Sequence, residues 1–330
     1  MTDDGPSASP PDGLRHDALL YADDRDYLDA IRAFAAEGRA AGEPVLVAVP
    51  THRLASVRAA LTGLDGIEFA DLAVLGRNPA AIIPGTLHRF PGRRTRIIGE
   101  WLWPDRRPAA FRHCVGHEAA LDLVFAGQQL ATRCLFDRTR LPADALADIR
   151  RTHRWLVAGG VARLSPDHLS PHDVLTRLAA PLPAPPPYAV TRPVESADLG
   201  ALRAAVAAVA TAAGLTGERL DDLRIAVTEL ASNALTHAAP PAVVRCWVAA
   251  GELLCEVTSR GELRDPLAGR VPPPADSVRG RGLLLVQQLC DLVDIRAADG
   301  TTTVRLHLEL PPAAPASAPG AAQGGCALAL

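Results

Sequence analysis

Lysine is missing from this sequence of 330 residues, so all 34 of its strongly basic side chains are arginines. This absence excludes three kinds of site: the phosphate-binding lysine of a P-loop, a Schiff-base lysine and the active-site lysine of a protein kinase. Any phosphate chemistry must therefore rely on arginine, backbone amides or a metal ion.

An excess of positive charge is also missing, because the formal net charge is −3. The charge balance therefore gives no argument for nucleic acid as a partner. The sequence has no apolar run of roughly eighteen residues, so we expect no membrane-spanning segment. Residues 1–13 are acidic and rich in Pro and Ser, unlike a secretory signal. We expect a disordered lead and a cytoplasmic protein.

Paired cysteines of the C-x-x-C type are absent too, although the chain has six cysteines. In a cytoplasmic protein, scattered cysteines of this kind usually behave as small apolar side chains.

Strand-like and helix-like segments alternate between residues 14 and 173, which predicts an α/β domain with a parallel sheet covered by helices. The strand-like segments are 16–21, 44–49, 67–75 and 96–99. The helix-like segments are 25–41, 54–61, 108–125 and 143–159.

A Pro-rich stretch interrupts this pattern, and we interpret residues 174–187 as a linker. A second domain, residues 188–310, is then predicted to contain strands 188–194, 243–249, 253–258, 293–297 and 302–310. Helices are expected at 197–213, 217–238 and 282–290. The low-complexity tail, residues 311–330, is expected to be disordered.

The helix predicted at 217–238 carries two distinct faces. At 100° per residue one face is apolar and should be buried, comprising Leu223, Val227, Leu230 and Ala234. A second face, roughly 90° away, carries Glu229, Asn233 and His237 at i, i+4 and i+8. An amide oxygen can hold Mg²⁺ on phosphates, and a carboxylate one turn earlier can accept a proton from an attacking hydroxyl. The alternative is the polar edge of an ordinary amphipathic helix.

Glycines follow at two points downstream of this helix. A strand ends in Ser259-Arg260-Gly261, an irregular lid-like stretch comes next, and Gly280-Arg281-Gly282 opens the last helix. Glycines at a helix N-terminus leave backbone N–H groups free to meet phosphate.

In this order, over about 120 residues, the segments ELASNALTHA, SRG and GRGLLLV resemble the GHKL (Bergerat-fold) ATPases and kinases, most closely the anti-sigma-factor Ser/Thr kinases. The resemblance implies an α+β sandwich that binds ATP and Mg²⁺. It gives Asn233 as the Mg²⁺ ligand, Glu229 as the base, and His237, Ser259, Gly261, Gly280, Arg281 and Gly282 as nucleotide contacts.

One position departs from that family. Where the family carries an Asp that binds the adenine amino group, this sequence has Ser259. A neutral hydrogen bond is roughly half as strong as a charge-assisted one, so adenine affinity should be lower by about tenfold. ATP binding is then weak or vestigial.

Six segments of the first domain together resemble the MEDS sensory domain, a RecA-like α/β module of bacterial small-molecule signalling. They are HDALLY (16–21), GEPVLV (42–47), GRNP (76–79), GEWLWP (99–104), HEAAL (117–121) and CLFD (134–137). At Asp122 and Leu135 the match departs from the residues expected, which are Asn and Pro.

Two sets of residues in this domain leave alternatives open. Metal ligation and ordinary burial are both compatible with Cys114, His117, Glu118 and Cys134, and we favour burial. Similarly, Glu100, Trp101 and Trp103 could line a ligand pocket, but core packing is the better interpretation.

Taken together, the resemblances imply a cytoplasmic anti-sigma-type regulator. Its first domain would sense a small-molecule or protein signal. Its second would bind ATP·Mg²⁺ and either a sigma factor or an anti-sigma-factor antagonist, with Ser/Thr phosphorylation of the antagonist if it is an enzyme.

Two alternatives remain. One is a non-catalytic module that binds its partner and keeps only a degenerate ATP site, which Ser259 favours. The other is a sensor histidine kinase that uses His153, although no heptad pattern surrounds that residue. The sequence leaves open whether the chain forms a homodimer.

Overall fold

Two β-sheets organise the chain in a computed structural model that describes residues 13–87, 94–195, 199–273 and 280–311. The expected disordered lead and tail lie almost wholly outside these ranges. Within the described ranges, no helix has both the length and the apolar character needed to cross a bilayer.

The first sheet has seven strands in the order β3-β2-β4-β5-β1-β6-β7, and only the pair β6–β7 is antiparallel. Their bounds are β1 Arg15–Tyr21, β2 Val45–Val49, β3 Ile67–Asp71, β4 Thr95–Gly99, β5 Leu130–Asp137, β6 Trp155–Ala158 and β7 Val161–Leu164.

Helices cover both faces of this sheet: α1 Asp24–Ala40, α2 Thr51–Ala60, α3 Leu72–Leu75, α4 Ile82–Leu87, α5 Phe111–Val124, α6 Ala143–Thr152 and α7 Pro171–Leu178. The burial of strand β2 explains why both faces of the sheet are covered. Val45 and Val47 enter one apolar core, whereas Leu46 and Ala48 enter the other. A strand buried on both faces is typical of a parallel sheet between helices, as the alternating pattern predicts.

Several predicted boundaries in this domain are wrong. The helix expected over 143–159 ends at Thr152, because His153 is extended and residues 155–158 pair with β1 as β6. Residues 72–75 are helical rather than strand-like. Strand β5 was not predicted at all, since seven of its eight residues are buried and the sequence does not alternate.

Helix α7 occupies the beginning of the predicted linker. The side chain of Ser170 caps it by accepting a hydrogen bond from the Asp173 amide, and Val174 packs on Val115 and Ala119 of α5. Residues 174–178 therefore belong to a packed helix rather than to an extended spacer.

The second sheet is antiparallel, with five strands in the order β11-β12-β10-β9-β8. They are β8 Val190–Pro193, β9 Ala239–Ala249, β10 Glu252–Arg260, β11 Leu292–Ala298 and β12 Thr301–Glu309. Three helices accompany the sheet: α8 Leu199–Ala212, α9 Gly217–His237 and α10 Gly282–Leu289. The chain is thus a mixed α/β protein with one mostly parallel and one antiparallel sheet.

The predicted apolar face of α9 is confirmed, because Leu223, Val227, Leu230 and Ala234 are all buried in the core of this second unit. Tight turns join β9 to β10 and β11 to β12. Ala250 and Asp299 adopt positive φ, each followed by a glycine that does the same.

The two units touch each other through polar contacts. Asn78 of the first unit donates to Gln287 of α10, and Arg77 pairs with Asp291. Further along the contact, Arg112 at the start of α5 pairs with Asp294 of β11. The GRNP segment therefore lies against the last helix of the second unit.

Candidate nucleotide-binding site

A cavity of about 520 Å³ opens in the second unit between α9, the end of β10, the loop 261–273 and the start of α10. It is bordered by most of the residues that the sequence singled out: Asn233, His237, Ser259, Gly261, Gly280 and Gly282. Its size lies within the roughly 300–1,000 Å³ range usual for ligand pockets.

Helix α9 provides one wall. Asn233 and His237 line the cavity one turn apart because the buried stripe of α9 holds the helix with this face toward the opening. Glu229, one turn earlier, is half-buried and lies beside the first turn of α10.

Gly282 is the residue that joins these two helices. A Cβ atom at this position would lie 2.8 Å from Glu229 Oε2 and 3.2 Å from Asn233 Nδ2. Because Gly282 has no side chain, the backbone at the start of α10 approaches the ends of both side chains closely. The predicted Glu, Asn and Gly thus meet at one place, at the N-terminus of α10, where free backbone N–H groups and the helix dipole favour an anion.

The opposite end of the cavity is built by β10. Ser259 pairs with Thr302 of β12, and Gly261, at φ +113°, donates its amide to the Gly300 carbonyl at 2.7 Å. Ser259 is half-buried and lines the cavity, so a neutral hydroxyl stands at the position of the family's Asp.

Thr302 is a cavity residue that the sequence did not single out. Its hydroxyl donates to the Gly261 carbonyl at 2.7 Å and accepts from the Leu263 amide at 2.9 Å. It therefore fixes the start of the loop that covers the cavity. The only sequence signal is a run of three threonines after the Asp299-Gly300 turn.

Asp265 also lines the cavity, although the sequence gave it no role. Its Oδ1 accepts the Leu267 amide at 2.9 Å, which ties the carboxylate into a turn of the covering loop. Gly269, at φ +74°, lets that loop pass Leu283, whose carbonyl would lie 2.9 Å from an added Cβ. The rest of the expected lid, residues 274–279, lies outside the described ranges.

Arg281 is the one predicted contact that the described cavity wall does not include. It is exposed at the N-cap of α10, whereas its neighbours Gly280 and Gly282 both line the cavity.

Comparison with protein families agrees with this geometry. Residues 15–154 match the family described as MEDS, the methanogen/methylotroph, DcmR sensory domain. Residues 193–308 match the histidine kinase-like ATPase domain.

This chain joins a MEDS domain to a histidine kinase-like ATPase domain.

Among solved structures, the chain is similar to the RsbU and RsbW domains of Rv1364c from Mycobacterium tuberculosis. Identity is 22%, the match covers 38% of this chain and 32% of that chain, and the TM-score is 0.29. This chain thus spans about a third of the length of that protein, and so weak a likeness carries no functional argument. No curated protein matches the chain.

The candidate residues of the MEDS domain are buried in its interior, except Trp103, which is half-buried. Trp101 is buried as expected, and Glu100 accepts hydrogen bonds from the hydroxyls of Tyr21 (2.7 Å) and Tyr27 (3.2 Å). Burial raises the pKa of the Glu100 carboxyl to about 7 despite these donors. These residues form part of a packed interior.

His153 is also fully buried, at the C-terminal end of α6. A phosphoacceptor histidine has to reach a nucleotide on another domain, and a side chain with no exposed surface cannot. The structure therefore does not support a histidine kinase that uses His153.

Proposed function

We propose that this chain is a signal-responsive regulatory protein of the anti-sigma type, whose ATPase-like domain binds Mg·ATP in the cavity beside α9. The observation that supports it is the close approach of Gly282 to Glu229 and Asn233. That contact brings a carboxylate, an amide and a helix N-terminus together at one end of a ligand-sized cavity.

The residues present fit both nucleotide and metal. An amide oxygen such as that of Asn233 is the hard ligand that Mg²⁺ prefers, and arginine is the only strongly basic side chain available to phosphate. The bare backbone at Gly280 and Gly282 leaves room that a side chain would fill. When bound, Mg·ATP supplies a transferable phosphoryl group.

Each residue at the phosphate end of the cavity then has a role in the proposed reaction. Asn233 would hold the Mg²⁺, and the N–H groups at the start of α10 would bind phosphate oxygens. Glu229 would accept a proton from the hydroxyl of a Ser or Thr on a partner protein. That partner would be an anti-sigma-factor antagonist, whereas a sigma factor would bind without being modified.

The adenine end is weaker than the phosphate end. Ser259 can accept from the adenine amino group, but only as a neutral oxygen. Among the described residues, two carboxylates line the cavity, those of Glu262 and Asp265. Since Asp265 Oδ1 already accepts the Leu267 amide, we assign the adenine contact to Ser259.

The MEDS domain would receive the signal, in the cytoplasm, and pass it on through the contact between GRNP and α10. Arg77 and Asn78 of that segment bind Asp291 and Gln287 directly. A small molecule or a protein could be the signal.

Calorimetry with Mg·ATP tests the nucleotide claim. Wild type should bind, and Asn233→Ala should bind at least about tenfold more weakly, which corresponds to about 1.4 kcal/mol. Gln288→Ala, which removes an exposed amide from α10 outside the cavity, is the matched control and should bind like wild type. Absence of binding in wild type and Asn233→Ala alike would refute the claim.

A second function is favoured by Ser259: a partner-binding module whose ATP site has lost activity. Labelled ATP and candidate antagonists distinguish the two. Phosphate transfer that disappears in Glu229→Gln supports the kinase. A tight complex without any transfer supports the non-catalytic module.

A further inference from the structure

Four ligand-type side chains meet in the interior of the MEDS domain, far apart in sequence and all buried. This buried cluster consists of His16 on β1, Glu118 on α5, Cys134 on β5 and His153 after α6. Their ligand atoms all lie within 4.8 Å of one another.

Four of the six distances within the buried cluster are close to the edges of a coordination tetrahedron, and the other two are at most 4.8 Å. Glu118 Oε2 lies 3.1 Å from His16 Nε2, 3.2 Å from Cys134 Sγ and 3.5 Å from His153 Nε2. His16 Nε2 lies 3.3 Å from Cys134 Sγ. A tetrahedral ion bound at about 2.0–2.3 Å holds its ligand atoms about 3.3–3.6 Å apart, so small outward shifts would accommodate one ion.

Both imidazoles direct Nε2, the nitrogen that would bind the ion, toward Glu118. His16 Nδ1 lies 2.9 Å from Asp122 Oδ1, and His153 Nδ1 lies 3.0 Å from the Ile149 carbonyl. Since both of these oxygens are acceptors, each Nδ1 carries the proton and donates. In the neutral rings, Nε2 therefore turns a lone pair toward Glu118. A carboxylate or carbonyl on the outer nitrogen is the usual companion of a histidine that binds a metal.

The cluster also lacks enough donors of its own. Glu118 Oε1 and His153 Nε2 are buried and make no hydrogen bond to any residue in the described part of the chain. Buried polar atoms without partners are rare and costly. A proton or a metal cation between the converging lone pairs of Glu118 Oε2 and His153 Nε2 would satisfy them, and the test below distinguishes the two.

A divalent ion would also balance the charge. The carboxylate of Glu118 and the thiolate of Cys134 contribute two negative charges, and the two imidazoles are neutral. A 2+ ion makes the buried cluster electrically neutral, which removes most of the free-energy cost of burying charge. The indole N–H of Trp101 donates to Cys134 Sγ at 3.0 Å and supports a thiolate.

We propose that the buried cluster is a zinc site. A set of one soft thiolate, two imidazoles and one carboxylate suits the borderline-soft Zn²⁺, whereas Mg²⁺ and Ca²⁺ prefer oxygen ligands alone. With four protein ligands the site is closed, so the ion has a structural role. It ties together β1, β5, α5 and the end of α6, and the thiol proton of Cys134 is released as the ion binds.

The metal content of the full-length chain tests the site. Protein purified without chelator from zinc-supplemented cells should contain about one Zn per chain by elemental mass spectrometry. After removal of the ion, Co²⁺ should restore one equivalent and give the thiolate charge-transfer and intense visible bands of a tetrahedral Co²⁺ site.

Conservative variants with matched controls assign the ligands. Cys134→Ser and His153→Gln should lose the ion and the charge-transfer band. Cys114→Ser and His117→Gln remove a buried cysteine and a buried histidine that lie on α5 like Glu118 but outside the cluster, and both variants should keep one Zn. Circular dichroism establishes that each variant is folded. If Cys134→Ser does not fold, the result from His153→Gln decides.

Three outcomes would overturn the proposal. The first is a folded wild-type chain that neither contains Zn²⁺ nor takes up Co²⁺. The second is full zinc content in both Cys134→Ser and His153→Gln. The third is a different tightly held metal, such as iron or copper, in stoichiometric amount.

Discussion

The side-chain amide of Asn78 in the MEDS domain donates to two oxygens of Gln287 in the ATPase domain, the backbone carbonyl and Oε1, both at 2.8 Å. Both residues are buried. Gln287 lies on α10, five residues after the glycine that touches Glu229 and Asn233. The MEDS domain therefore contacts the helix whose first turn lines the cavity.

Replacing Asn78 with Asp tests this contact. Asn78→Asp keeps Oδ1, which accepts the Ala80 amide and caps the following turn, but loses both hydrogens donated to Gln287. Because buried acceptors are left without donors, the free energy of unfolding in urea should fall by about 1–3 kcal/mol. Gln288→Glu makes the same chemical change on the exposed side of α10 and should have little effect. Equal stability of the two variants would contradict the interpretation.

Replacing Gly282 with Ala tests the phosphate end. The new Cβ would lie 2.8 Å from Glu229 Oε2, so either the side chains or α10 must move. Mg·ATP affinity should fall about tenfold or more, whereas stability should change by less than about 1 kcal/mol, since alanine is a good helix residue. Gly200→Ala, in the first turn of α8 with open space around it, is the matched control. Equal ATP affinity in the two variants would show that this approach is not needed.

Restoring a carboxylate at position 259 tests the adenine end. Ser259→Asp should raise ATP affinity by about tenfold, because a charge-assisted hydrogen bond is roughly twice as strong as a neutral one. Ser259→Asn separates charge from size and should give little gain. Titration calorimetry measures all three proteins. A gain equal in Asn and Asp would indicate that size, not charge, limits binding.

The buried Glu100 should make stability depend on pH. Its folded-state pKa of about 7 lies above the usual value of 4.5 for a glutamate, so the folded chain holds the proton more tightly than the unfolded chain does. The resulting stabilisation is complete below about pH 4.5 and is lost as pH rises through 7, with a maximum of about 3 kcal/mol. Between pH 5 and 8, wild type should lose stability relative to Glu100→Gln in urea unfolding. Parallel pH profiles would refute the assignment.

Much of the ATPase domain could be predicted because its signals are local. The 3.6-residue period of α9 gives Leu223 and Val227 as core and puts Glu229 and Asn233 together on another face. The Asp299-Gly300 turn gives the last hairpin. The role of Thr302 could not be predicted in this way, since its hydroxyl bonds to Gly261 and Leu263, which are about forty residues away in sequence.

Less of the MEDS domain could be predicted, because its important contacts also join residues that are distant in sequence. Strand β5 is buried on both faces, so no alternation marks it. The sequence suggests Cys114 and His117 as candidate metal ligands together with Glu118 and Cys134. In the structure, the thiol of Cys114 instead donates a hydrogen bond to the Trp101 carbonyl. The histidines that join Glu118 are His16 and His153, which are brought together only by the parallel order of the sheet.

Helix α10 is short, and this has a thermodynamic consequence. Gly282 and Gln287 are five residues apart, or about 7.5 Å along the helix axis, so the nucleotide end and the sensory contact share one rigid element. Coupling between two binding sites is reciprocal. If a signal in the MEDS domain changes nucleotide affinity through α10, nucleotide changes the affinity for the signal by the same factor. The cellular ATP level would then set the concentration at which this sensor responds.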